Sequence, residues 1–350
     1  MNILLLGGTG AIGKALTPLL LKTPDNKVYI TSRGGGNSDN PQLTFLQCNA
    51  MHDDDLRKVL SERKYEAIVD FMNYRTDDFK RRYELLLTST SHYVFLSSCR
   101  VFADAPIINE SSPQLLDKLS GSSYLNGDTY TLAKARCEKV LKESSYSNYT
   151  IVRPYITYNS NRFQLGIYEK EHFLYRALHG RSIVISKDIL EKKTSLTSAV
   201  DVAELIGKII LEAPSCHCYN LVDSEPISWN DVLNIYRKEI SNWLGKEMKV
   251  MIVDNSCSES RLISSEEKYN IDRLYNRVFS SNEEIVRRHS FIKVDVGLKQ
   301  SLSNFFLNPK FGRINWRYEA YIDKITNERS KLEEIPSWRT RIHYMLWRFR

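Results

Sequence analysis

The sequence predicts an α/β protein with a doubly wound parallel sheet and a smaller C-terminal lobe. Three observations predict it. Apolar runs of strand length alternate with amphipathic segments over the first 155 residues, the pattern of strands joined by crossover helices. The opening run Ile3-Leu4-Leu5-Leu6 leads straight into a glycine-rich turn and then a helical pattern. After residue 155 the alternation loosens, with no internal repeat and no low-complexity linker.

Each element has a local reason. Asn2–Leu6 is apolar on both faces, as a central parallel strand must be. It is too short for a signal-peptide core and no basic residue precedes it. The turn Gly7-Gly8-Thr9-Gly10-Ala11-Ile12-Gly13 opens a helix expected over Ala11–Leu21. Further strands are expected at Lys27–Thr31, Leu43–Gln47, Ala67–Phe71, His92–Ser97 and Tyr149–Arg153. Helices are expected between them at Asp54–Glu62, Thr76–Thr90 and Asp128–Glu143. Beyond residue 155 the pattern predicts a helix over His172–Gly180, a strand at Arg181–Ser186 and an amphipathic helix over Val200–Ala213. Residues 254–282 read as polar and loop-rich, and Gly297–Phe306 as a helix before Pro309.

Composition narrows the class. The 350 residues are 42% hydrophobic, enough for a full core in one large or two modest domains. No stretch approaches the roughly 20 apolar residues of a membrane span. The cysteines Cys48, Cys99, Cys137, Cys216, Cys218 and Cys257 show no framework spacing. Reduced thiols and a cytoplasmic location are therefore expected. Cys216-His217-Cys218 lacks a second ligand pair, so no metal is expected. Net charge is +7, and Arg339, Arg341, Arg348 and Arg350 supply four of those charges in a final stretch without acids. The rest is nearly balanced, which argues against a broad nucleic-acid-binding face.

Three motifs carry chemistry. In a strand–turn–helix context Gly7 permits a tight turn, Gly10 lets a backbone approach a pyrophosphate, and Gly13 allows close helix–strand packing. The helix start then presents N–H groups to the anion; a turn without a ligand is the alternative. In Tyr130-Thr131-Leu132-Ala133-Lys134, the first and last residues share a helix face. An ammonium beside a phenol favours the phenolate, which suits proton exchange with an alcohol or carbonyl. An ordinary surface pair is the plain reading. Ser97-Ser98 ends an apolar strand, at the sheet edge where open α/β sheets bind ligands.

In this order the motifs resemble the extended short-chain dehydrogenase/reductase family, in its NAD(P)-dependent nucleotide-sugar epimerase, dehydratase and reductase branch. The resemblance runs from residue 1 to about 308 and includes "AIVDFMNY", "RPYITY", "SAVDVAELI" and "YNLVDSEPISWNDVL". It implies a Rossmann-type dinucleotide-binding domain over 1–155, with elements of about 195–225 returning to it. It further implies a substrate lobe over 156–308, leaving 309–350 as a basic, aromatic extension. Carried over residue by residue, it implies Ser98 as the catalytic hydroxyl, four before Phe102, with Ser97 as the second choice. Tyr130 would be the acid/base, and Lys134 its modulator and a ribose ligand. Implied cofactor contacts are Gly7, Thr9, Gly10, Ala11, Ile12, Gly13, Met72, Tyr130, Lys134 and Pro154, with Asn49 and Ala50 beside the adenine. Asp53 would join that turn or cap the next helix. The gap from Ser98 to Tyr130 is longer than usual there, and the Ala103–Gly127 loop is expected to cover the substrate.

The second strand ends in Ser32-Arg33, with no acid between Tyr29 and Asn37. A hydroxyl and a cation suit a 2′-phosphate, so NADP(H) is favoured over NAD(H). Cys99 and Arg100 stand where 4,6-dehydratases of the family carry an acidic pair, which disfavours dehydration. Keto-sugar reduction or epimerisation remains, with Cys99 as an alternative acid or base. A nucleotide-linked sugar is the expected substrate, surface glycan biosynthesis the expected setting, and Arg162, Arg277 and Arg288 are candidate phosphate clamps. A non-catalytic regulator or RNA-binding protein of the same fold, and a reductase of a lipid-like carbonyl, are the rival functions. The apolar residues of 336–350 fall only partly on one stripe. Peripheral contact with anionic membrane is one reading of this tail; a helix docked on its own domain or at a homodimer interface is the other.

Overall fold

The computed structural model describes residues 1–255, 262 and 272–349. Cys257, and residues 256–271 of the expected loop-rich stretch apart from Leu262, lie outside the described residues. In chain order the first elements are β1 (Asn2–Leu6), α1 (Ala11–Leu20), β2 (Lys27–Ser32), β3 (Leu43–Gln47), α2 (Asp53–Ser61) and β4 (Tyr65–Asp70). Next come α3 (Thr76–Lys80), α4 (Tyr83–Thr88), β5 (Thr90–Leu96), α5 (Leu115–Lys118), α6 (Tyr130–Glu143), β6 (Tyr149–Pro154) and β7 (Ile156–Tyr158). They are followed by β8 (Gln164–Leu165), β9 (Tyr168–Glu169), α7 (Lys170–Leu178), β10 (Ile183–Ser186), α8 (Lys187–Leu190), β11 (Lys193–Thr194) and β12 (Leu196–Ser198). Then come α9 (Ala199–Leu211), β13 (Cys218–Leu221), β14 (Ile227–Ser228), α10 (Trp229–Leu244) and β15 (Val250–Val253). The last helices are α11 (Glu284–Arg287), α12 (Val294–Leu307), α13 (Trp316–Ile325) and α14 (Trp338–Phe349).

The chain divides into two compact units. The first comprises residues 1–157, 195–224 and 279–292. Its seven-stranded sheet runs β13-β6-β5-β4-β1-β2-β3, with every neighbouring pair parallel. Side chains alternate across a strand, so β1 feeds two cores. Ile3 and Leu5 pack with Leu16 of α1 and with Val202, Leu205 and Ile206 of α9. Leu4 and Leu6 pack on the other face with Leu56 of α2, Leu86 of α4 and Leu141 of α6. This two-sided burial explains the uninterrupted apolar runs. The strand order reverses beside β1, so the crevice for a ligand lies where β1 meets α1.

Three expectations are corrected. The helix expected over Thr76–Thr90 breaks into α3 and α4, because Arg82 at the break turns inward. Its Nε donates to Asp53 (2.6 Å) and its Nη2 to the Met51 carbonyl (2.7 Å). Asp128 stands outside α6, since its carboxylate accepts from Thr76 Oγ1 (2.6 Å) and Thr76 N (3.0 Å). Residues 279–292, placed by sequence in the second lobe, belong to the first unit. There the Asp201 carboxylate accepts from Ile292 N (3.1 Å) and lies 3.1 Å from His289 Nε2.

The second unit comprises residues 158–194, 225–278 and 293–350. Its centre is ionic. Arg176 of α7 is fully buried and its Nη1 reaches Glu319 (2.8 Å) and Asp323 (2.9 Å) of α13. Arg181 pairs with Glu334 at 2.8 Å. Residues 309–350, set apart by sequence as an extension, are thus folded into this unit, with Tyr175, Trp316, Ala320, Ile335 and Tyr344 in one apolar cluster. Among the described residues no helix is long and apolar enough to cross a membrane.

Candidate active site

The glycine-rich turn has a distinct requirement at each of two positions. Gly7 adopts φ +70°, and a Cβ there would lie 2.7 Å from Met72 Sδ. A Cβ on Gly13 would lie 2.2 Å from the Gly8 carbonyl oxygen, so the start of α1 packs backbone to backbone against the turn. At Gly10, by contrast, a side chain would meet nothing within 4 Å, leaving an open face at the start of α1. No acid occupies the first turn of α1 and no side chain caps it, so the positive end of the helix faces that opening. A cleft of about 240 Å³ adjoins it, lined by Gly7, Thr9, Ser32, Arg33, Asn49, Ala50 and Met72 among others. Ala11, Ile12 and Gly13 follow at the helix start, where Ile12 is buried and turns its side chain into the core. An elongated anionic nucleotide fits this cradle: glycines where backbone must approach, a helix start, and a cation at one end.

Asp70, at the end of β4, fixes one wall. Its carboxylate is fully buried and accepts from Met72 N (2.9 Å), Tyr74 (2.9 Å) and Tyr93 (2.7 Å). Burial pushes this carboxyl above the ordinary value, opposed by those hydrogen bonds. Met72 in turn accepts at its carbonyl from Lys134 Nζ (2.9 Å), which also donates to the Leu96 carbonyl (2.6 Å). Lys134 is 2% exposed, clamped between the ends of β4 and β5. Tyr130, one helical turn earlier, is 39% exposed. The Arg100 guanidinium sits 5.6 Å from the centroid of its ring. Ser98 is buried and its Oγ accepts from Arg100 N at 3.3 Å.

The neighbouring candidates point elsewhere. Ser97 Oγ donates to Glu138 Oε1 (2.5 Å), and Cys99 Sγ to the Arg153 carbonyl (3.0 Å). Glu138 also takes Arg153 Nε (2.8 Å) and Nη2 (2.5 Å) and Gln114 Nε2 (2.9 Å). Burial alone would raise this carboxyl, but Arg153 and Lys142 hold it below the ordinary range. Pro154 is buried in β6 opposite Leu221 of β13. Asp53 lies in the first turn of α2, paired with Arg82, while His52 takes the cap position.

Of the arginines proposed as clamps, Arg288 belongs to the first unit, exposed and paired with Glu284. Arg162 and Arg277 belong to the second. Arg162 is exposed, whereas Arg277 is 1% exposed and donates from Nε to Asp272 (2.8 Å). The first unit thus collects Ser98, Tyr130, Lys134 and the turn residues, while Arg162 and Arg277 fall in the second. The sequence reading overlooked the Glu138–Arg153 pair. Its one visible signal was Glu138 standing a further turn beyond Lys134.

Comparison with known proteins agrees with this architecture. The profile of the NAD dependent epimerase/dehydratase family matches residues 3–221, more than half of the chain. No curated protein matches. The fold is similar to Bacillus anthracis dTDP-glucose 4,6-dehydratase in complex with NAD, with TM-score 0.65 and 17% identity over 88% of this chain and 97% of that one. It is also similar to Thermus thermophilus UDP-glucose 4-epimerase in complex with NAD, with TM-score 0.66 and 15% identity over 87% and 99%. A third likeness is Methanobrevibacter ruminantium UDP-N-acetylglucosamine 4-epimerase in complex with UDP-N-acetylmuramic acid, with TM-score 0.67 and 18% identity over 87% and 98%. With its parallel sheet, its glycine turn and a profile match that spans both, the chain belongs to the NAD dependent epimerase/dehydratase family.

Proposed function

We propose that this protein is an NADP(H)-dependent oxidoreductase or epimerase of a nucleotide-linked sugar, with keto-sugar reduction as the favoured reaction. The observation that carries the reading is the clamp on Lys134. Its ammonium is fixed by the carbonyl of Met72, a residue that also lines the turn's cleft. The helix bearing Tyr130 and the dinucleotide cradle therefore share one anchor.

A bound nicotinamide supplies or accepts hydride at the sugar carbon. The chain's own residues handle the proton. Tyr130 donates it to, or removes it from, the sugar oxygen, and the Lys134 charge stabilises the phenolate left behind. Two N–H groups of Lys134 are spent on carbonyls, so one of its three remains for a ribose hydroxyl or the phenol. The Ser98 hydroxyl and the Arg100 cation stabilise charge on the reacting oxygen. Cys99, whose thiol is committed to the Arg153 carbonyl, takes no proton in this scheme.

Ser32 and Arg33 line the cleft with no carboxylate among its lining residues, which supports a 2′-phosphate and hence NADP(H). The NAD in two of the similar solved structures favours a second reading, an epimerase that retains NAD. The product, an activated sugar, suits consumption by glycosyl transfer in surface glycan assembly. Two measurements test the proposal. NADPH should bind at least about tenfold tighter than NADH, and Arg33→Ala should erase that preference. Tighter NADH binding would select the second reading. Tyr130→Phe should lower turnover of nucleotide-linked keto-sugars by about 10²–10⁴-fold with dinucleotide binding unchanged. Binding without turnover by the unaltered protein would favour a regulator instead.

A further inference from the structure

Helix α14 carries a surface that the dinucleotide site does not use. Its single fully buried side chain is Tyr344, whose hydroxyl donates to Asp323 (2.6 Å) and accepts from Ser330 N (3.0 Å). Arg348 ties the same side down, donating from Nε (3.1 Å) and Nη2 (2.9 Å) to the Glu328 carbonyl. At 100° per residue, Trp338, Ile342, Leu346 and Phe349 fall within an arc of roughly 80° turned away from Tyr344. They are 65%, 50%, 46% and 67% exposed. Trp347 leaves this stripe and joins Trp316 and His343 around a separate cavity, which is why the apolar pattern is only partly periodic in the sequence.

Charge decides what covers the stripe. Arg339 and Arg341 flank it on opposite sides and are both exposed. The Arg339 guanidinium lies 5.4 Å from the Trp338 ring centroid. The segment Trp338–Phe349 contains no acid. Leu332, Arg341, Ile342, Met345, Leu346 and Phe349 line an open groove of about 490 Å³ along the same edge. A second copy of this helix would bring arginine against arginine across the seam, whereas an anionic layer would neutralise both flanks. We propose that this face seats on an anionic lipid bilayer. The helix lies in the interfacial plane, with Trp338, Ile342, Leu346 and Phe349 below the phosphates and Arg339 and Arg341 among them. The proposal stands apart from the catalytic reading.

The test is co-sedimentation of the full chain with vesicles of phosphatidylcholine alone or with one-third phosphatidylglycerol. Binding to the anionic vesicles should exceed neutral binding at least tenfold and weaken as salt rises. Arg339→Glu should lower it roughly thirty-fold, since each charge beside such a surface is worth about fivefold. Ile342→Asp should abolish it, while Lys208→Glu, an exposed change on α9, should leave it intact. Circular-dichroism melts establish that each variant is folded, and the Trp338 side chain supplies a fluorescence blue shift on binding. Absent binding, or equal binding by Ile342→Asp, overturns the proposal. So does a concentration-dependent dimer in light scattering that Ile342→Asp dissolves.

Discussion

Replacing Glu138 by Ala should unfold the first unit far more readily, by an amount the geometry sets. The carboxylate and the Arg153 guanidinium are 0% and 1% exposed. Removing the acid leaves a buried cation uncompensated, at about 3–5 kcal/mol. For a unit of this size each kcal/mol shifts the melting temperature by about 2–4 °C, so the loss should be about 6–20 °C. All five tryptophans lie in the second unit, so far-UV circular dichroism follows both units while tryptophan fluorescence follows only the second. The loss should therefore appear as an early dichroism transition with no fluorescence counterpart. Removing both charges, as Glu138→Leu with Arg153→Met, should recover about 2 kcal/mol of it, leaving about 1–3 kcal/mol for the Ser97 hydroxyl and the Gln114 amide deprived of their acceptor. The pH dependence follows from the depressed Glu138 carboxyl. Its contribution is complete above the ordinary carboxylate value and fades as pH falls through the lower folded-state value. The single variant should therefore converge on the parent in acid. If the paired variant is as unstable as the single one, or Glu138→Ala costs under about 1 kcal/mol, uncompensated charge is not the cause.

Two glycines separate packing from binding. Gly13→Ala drives a methyl into the Gly8 backbone and should cost about 3 kcal/mol or more in thermal melts. Gly10→Ala meets open space, so its melt should be unchanged while calorimetric dinucleotide affinity drops. Tyr344→Phe removes two buried hydrogen bonds and should destabilise the second unit by about 1–3 kcal/mol, read by tryptophan fluorescence in urea. Burial and Asp323 push the Tyr344 phenol up to about 12. Its stabilisation should accordingly hold below about pH 10 and disappear as pH rises through about 12.

The sheet was legible because its central strands β1, β4, β5 and β6 are buried on both faces and so read as nearly continuous apolar runs. The glycine turn was legible because Gly7 and Gly10 stand between a strand and a helix and Gly13 sits in the first turn of that helix. What sequence could not display is side-chain direction at one strand end. Ser97 and Ser98 are adjacent and chemically identical, yet one is consumed by Glu138 and the other contacts the Arg100 amide. Arg277 stood as a candidate phosphate clamp because nothing local reveals that Asp272 draws it inside. The return of residues 279–292 to the first unit rests on Asp201, about ninety positions earlier, a distance over which no periodicity carries information.

The ionic knot around Arg176 and Arg181 has a practical consequence. Among the described residues, every carboxylate paired with those two guanidiniums (Glu319, Asp323, Glu328 and Glu334) comes from the last stretch of the chain. A protein shortened after residue 308 would strand two interior cations. It would collapse for that reason whatever the missing segment does, so point changes on the outer surface of α14, not truncation, are the informative way to ask what the end of the chain is for.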